Sequence, residues 1–132
     1  GLPLPAAMVA ISPWTDLTFS GASYKTNAKK DPSLSEAALR RHAKAYADGQ
    51  VDNPLVSPAF GDYEGFPPSL ILAGGNELLL SDAEMLAARM VQGGCRCELH
   101  VEEGLWHVYV LFGIPEARVA LDKIVDFLEL WA

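Results

Sequence analysis

Residues 70–86 read LILAGGNELLLSDAEML, and the parsing of this stretch decides the fold. Residues 69–73 form a short apolar run followed by Gly74 and Gly75. A run of this length, bounded by glycines, suits a strand buried on both faces of a parallel sheet. Ser81 and Glu84 stand at capping-box spacing, which predicts a helix opening at Ser81 and closing near Gly93 and Gly94. Glu77 lies between the strand and the helix.

Beyond this helix, CRCELHVEE at 95–103 alternates. Cys97, Leu99 and Val101 share one face of the predicted strand, and Arg96, Glu98 and His100 the other, which places it near a sheet edge. Pro115 opens a last helix. Its spacing sends Ala117, Leu121, Ile124, Leu128 and Trp131 towards the core. Upstream, AAMVAIS at 6–12 reads as another strand buried on both faces. SLSEAALRRHAKAYADG at 33–49 reads as a helix, with a Ser33/Glu36 capping box and Gly49 as its stop. Residues 50–68 are rich in Pro, Gly, Asp and Asn and read as an irregular connection. Strand and helix therefore alternate three times, the pattern of a parallel sheet covered by helices.

The chain has 132 residues, half of them apolar, enough for one domain with a modest core. Its net charge of −7 excludes a nucleic-acid footprint, which requires a basic surface. No apolar run approaches the ~20 residues of a membrane span. The two cysteines, Cys95 and Cys97, lack the partners of a zinc site and read as reduced small hydrophobes, so a cytoplasmic location is expected.

In open α/β sheets functional groups gather beyond the carboxyl ends of strands. Glu77 follows one predicted strand and His107 another. On neighbouring strands they would meet at one sheet edge, where a carboxylate can orient an imidazole and stabilise its charged form. The same residues also have plain readings: Glu77 as a solvated or helix-capping carboxylate, His107 as a half-buried histidine. Asp82 is the rival acid, with an ordinary role in a first helical turn. His42 and His100 read as structural. A hydrolase nucleophile sits in G-x-S-x-G on a strand-to-helix turn, and no serine here does. Ser23 comes closest, after Gly21, but Lys25 stands where the second glycine belongs.

Four segments, GLPLPAAMVAISPWTDLT at 1–18, DPSLSEAALRR at 31–41, the run from NPLVSPAF to LAARM at 53–90, and VEEGLWHVYVLF at 101–112, together resemble the hormone-sensitive-lipase-like family of α/β-hydrolase esterases. The resemblance spans essentially the whole chain but only the C-terminal part of that family. It implies that 1–132 is the C-terminal portion of an α/β-hydrolase domain, with 17–68 a loop and helix inserted between two strands. It further implies that the cap region, oxyanion glycines and nucleophile serine lie upstream of Gly1. Many members carry an Asp-Pro-Leu acid motif; Glu77, Leu78 and Leu79 occupy those places here, with Asn76 and Asp82 as neighbours. His107 matches the family's catalytic histidine, and Asp16 a recurrent loop segment for which a structural role is expected.

The expected function is therefore a carboxylic ester hydrolase portion carrying the acid and base of a Ser-His-Glu triad. No cofactor or metal is implied. The expected partners are a small ester, the upstream half of the hydrolase and a second copy of the chain; alone it should be inactive. The alternative is a non-catalytic module acting through oligomerisation or partner binding.

Overall fold

The computed structural model describes residues 2–132. Three parallel strands, β1 (Met8–Ile11), β2 (Ser69–Gly74) and β3 (Cys97–Glu102), form one sheet in the order β1-β2-β3. Ser69 pairs with Met8 on one side and Cys97 on the other, so all three strands start level and end on the same edge. β2 is central and every residue in it is buried. β1 is only half-buried, which corrects the expectation of a strand covered on both faces: among the described residues it has a strand on one side only.

The helices are α1 (Ser23–Thr26), α2 (Glu36–Ala47), α3 (Leu80–Gln92) and α4 (Pro115–Trp131), with short 3-10 turns at Pro58–Phe60 and Tyr109–Leu111. Successive side chains of β2 face opposite ways, and this sorts the core into two layers. Ile71 and Ala73 pack with Ala83, Leu86 and Met90 of α3. Leu70 and Leu72 pack with Ala120 and Phe127 of α4. α2 lies over the loops at the strand ends, where Leu39 packs with Tyr24, Leu78 and Leu79.

Three helix details differ from the sequence reading. α2 is capped by Ser35, whose hydroxyl accepts from the Ala38 amide, and not by Ser33. Ser33 is held instead by Asp31 Oδ1, which accepts its amide and hydroxyl and the Leu34 amide, so local side-chain bonding keeps that turn out of the helix. α3 begins at Leu80 with no side-chain cap; Ser81 is inside its first turn and bonds across to Ser23. In α4 the inward positions are Ala117, Ala120, Ile124, Phe127 and Trp131, while Leu121 and Leu128 stay exposed. The helix carries apolar residues on two interleaved stripes, and only one can face the sheet. Among the described residues no helix is long and apolar enough to cross a membrane.

Candidate active site

All three strands deliver their chains to one edge, and three residues from beyond those ends meet there. Glu77 lies in the turn between β2 and α3 and is fully buried. His107 lies in the loop after β3, its side chain 23 % exposed, with Nδ1 3.1 Å from Glu77 Oε1. Ser12, the residue after β1, donates its hydroxyl to Glu77 Oε2 at 2.7 Å and accepts the Val108 amide at 2.9 Å. The Gly74 amide also donates to Oε2, at 2.7 Å. One carboxylate oxygen is thus held by two donors, and the other faces the imidazole.

Local chemistry explains how these groups come so close. A Cβ on Gly74 would stand 2.5 Å from the Leu105 carbonyl oxygen and 2.6 Å from that of Trp106. Only glycine lets the histidine loop cross the end of β2. Backbone bonds then stitch the loop to the acid turn: Gly75 N–H to the Glu102 carbonyl at 2.8 Å, and Asn76 N–H to the Leu105 carbonyl at 2.9 Å. From the other side Asn27 Nδ2 donates to the carbonyls of Gly75 and Glu77, and Asp31 Oδ2 accepts the Leu78 amide. Two non-glycine residues are left-handed here, Ser12 at φ 49 and Val108 at φ 52. Such conformations cost ~1–3 kcal/mol each and persist only where surroundings hold them.

The structure brings Glu77 and His107 together and directs the other candidates elsewhere. Asp82 is fully buried and accepts from the Thr15 amide at 2.9 Å, the Asp16 amide at 2.8 Å and the Tyr24 hydroxyl at 2.7 Å. Burial pushes its pKa up to about 6, against the lowering effect of those donors, and the Asp16 charge adds to the rise. Burial also raises the Tyr24 hydroxyl, reinforced by the Asp82 charge. Asp82 therefore ties the loop after β1 to α3. Asp16 organises the turn above it, accepting amides and hydroxyls from Thr18 and Ser20. Burial acts to raise its pKa, and these donors outweigh burial and leave it below the usual value. Ser23 is buried in α1, donating to the Leu78 carbonyl and accepting the Ser81 amide. Asn76 Nδ2 bonds the Gly104 carbonyl. His42 is exposed on α2, and His100 lies 3.8 Å from Glu98 on β3.

Ser12, Asn27 and Asp31 escaped the sequence reading, whereas Val108 stands where the resembled family frequently has a glycine, the residue that most readily takes its left-handed backbone. Ser12 is next to Pro13 in a loop start, which signals a turn but not which carboxylate its hydroxyl reaches. Gly74 was visible as a glycine ending a buried strand, a known sign of close backbone approach. Both cysteines are free, and burial lifts the Cys97 thiol to about 11, with the neighbouring Cys95 and Glu98 adding to the rise. Among the described residues no group of three or more His, Cys, Asp or Glu is arranged to hold a metal ion.

A family model described as the alpha/beta hydrolase fold matches residues 1–111. An acetyl-hydrolase of Streptomyces hygroscopicus is 40 % identical over 132 residues, covering 98 % of this chain and 44 % of its own length. An esterase of Acinetobacter venetianus is 34 % identical, covering 94 % of this chain and 42 % of its own. The crystal structure of an esterase from the bacterial hormone-sensitive lipase family superposes with a TM-score of 0.95 at 39 % identity, over 99 % of this chain and 45 % of that one. A hormone-sensitive lipase from a metagenome library superposes at 0.96 with 33 % identity. The chain spans less than half the length of these relatives. With the parallel sheet, its two helical layers and this agreement along nearly all its length, the chain belongs to the alpha/beta hydrolase fold family, in its hormone-sensitive-lipase-like branch.

Proposed function

We propose that Glu77 and His107 are the acid and base of a serine ester hydrolase, and that the nucleophile comes from a part of the complete enzyme outside this chain. The observation that carries the reading is the 3.1 Å contact between Glu77 Oε1 and His107 Nδ1, made by a carboxylate with no exposure to solvent. A buried carboxylate facing Nδ1 keeps the ring proton there and leaves Nε2 as the base. The serine attacks the ester carbonyl as His107 Nε2 removes its proton. The same nitrogen returns that proton to the departing alcohol, and water then releases the acid by the reverse sequence. Glu77 stabilises the imidazolium in both halves without taking its proton.

The names of the relatives, acetyl-hydrolase and esterase, support small acyl esters as the substrate class. In this reading residues 1–132 are the C-terminal portion of the hydrolase domain, with 17–68 inserted between its strands. Turnover of a p-nitrophenyl acyl ester tests it. The isolated chain should stay at background, and joining it to a serine-bearing N-terminal half should create activity that a serine-directed phosphonate abolishes. Activity of the pure isolated chain with the same phosphonate sensitivity would overturn it.

The assembly reading is a homodimer through β3 and α4. β3 has no strand on its outer side among the described residues, and Leu121, Val125 and Leu128 leave apolar surface on α4. Open strand edges and apolar patches both favour association. Light scattering of the parent and of Val101→Lys, placed on that edge, checks it; a monomeric parent would sink it.

A further inference from the structure

Ser12 is buried, and its hydroxyl is, among the described residues, the one side-chain group hydrogen-bonded both to Glu77 and to the backbone of the histidine loop. Donation to Glu77 Oε2 fixes the carboxylate plane, so that Oε1 is presented to His107. Acceptance of the Val108 amide fixes the peptide that follows His107. The two left-handed residues of this corner, Ser12 and Val108, stand at the two ends of that one bond. A β-branched residue such as valine enters this region only under constraint, and the constraint on Val108 includes the serine oxygen. A second donor on Oε2, the Gly74 amide, can keep the carboxylate satisfied without Ser12. It makes no bond to Val108, so it cannot hold the two sides in register.

We infer that Ser12 is a positioning residue: its hydroxyl locks the Glu77 carboxylate and the His107 loop into one arrangement and so selects the Nδ1-protonated tautomer of His107. This rests on the acid–base reading of Glu77 and His107, and the two are separable by experiment. Nitrogen NMR of the imidazole in the labelled chain reads the tautomer directly at a pH where the ring is neutral, and it needs no nucleophile. The parent should hold the proton on Nδ1, and Glu77→Gln should abolish that preference. A parent with the mixed tautomers of a free imidazole would overturn the acid–base reading, and this inference with it.

Ser12→Gly is the decisive variant, because it removes the hydroxyl together with its Cβ and glycine accepts φ 49 without strain. Its amide spectrum should stay folded while His107 passes to a tautomer mixture. Ser12→Ala, which keeps the Cβ, should behave alike. A lock that survives in Ser12→Gly would overturn the role of the hydroxyl and leave the acid–base reading intact. Loss of the lock in the alanine variant alone would assign the effect to backbone strain. Failure of the glycine variant to fold would make the hydroxyl a requirement for folding, and would equally overturn a positioning role.

Discussion

Glu77 and Asp82 flank the start of the same helix, and both are fully buried. Each accepts at least two hydrogen bonds from groups on or after β1 and β2. They differ in what the remaining oxygen meets. For Glu77 it is a half-open imidazole; for Asp82 it is a buried phenol. A carboxylate whose partners are amides and a tyrosine can only fasten. One that keeps an oxygen on a titratable ring, at the rim of the sheet, can respond to a proton arriving on that ring. The chemistry of a buried acid therefore follows from its last neighbour, more than from its burial or its place on a helix.

Substitutions separate the roles of the two acids. In an enzyme completed by its serine-bearing half, His107→Ala should lower kcat/KM by on the order of 10⁶, and Glu77→Gln by on the order of 10⁴, as removals of base and acid do elsewhere. The glutamine keeps an oxygen for Ser12 and Gly74 but turns an NH₂ on Nδ1, forcing the ring proton onto Nε2. Equal turnover by Glu77→Gln and the parent would end the distinction between the two acids.

Gly74→Ala tests the crossing that lets the histidine approach at all. The added methyl meets carbonyl oxygens at 2.5 and 2.6 Å, and backbone cannot step aside cheaply. Thermal or urea unfolding should show a loss of about 1–3 kcal/mol. An alanine variant of unchanged stability would mean that the loop has another seat.

Asp82→Asn should change activity by less than tenfold and act on stability instead. With Asp82 at about 6 in the folded chain against 3.8 for an ordinary aspartate, the folded state binds the proton more tightly than the unfolded one. This group therefore favours folding below about pH 4, and that contribution declines as pH rises through 6. The melting temperature of the parent, followed from pH 4 to 7, should carry this decline, and Asp82→Asn should lack it. The same decline in both would show that the titration lies elsewhere. If Asp82→Asn damaged turnover more than Glu77→Gln, the acid would have been placed on the wrong side of the turn.

The parts legible in the sequence were those whose cause is local. The apolar run of β2, the proline opening α4 and the glycines after α3 each act within a few residues. The pairing of Glu77 with His107 was legible one level up, because parallel strands deliver their loops to one edge. Ser33 and Ser81 misled as caps, because Asp31 and Ser23 compete for them through contacts that spacing does not encode. Leu121 and Leu128 misled because α4 has two apolar stripes and the choice between them is made by the sheet. The reach of Ser12 to Glu77 and Val108 lay beyond any pattern, since it depends on three paired strands delivering their chains to one edge.

The meeting of three strands at one edge also has a kinetic side. The contacts of this corner join positions 30, 65 and 96 apart in the chain. Closing such long loops costs little more than closing shorter ones, about 0.6 kcal/mol per doubling of length. The search for them is slow, because distant segments must meet before any bond rewards the meeting. α3 and α4 are built from neighbours and can form first. A refolding chain should regain its helical signal before His107 regains its carboxylate, which makes that imidazole a clock for the last step to the native state.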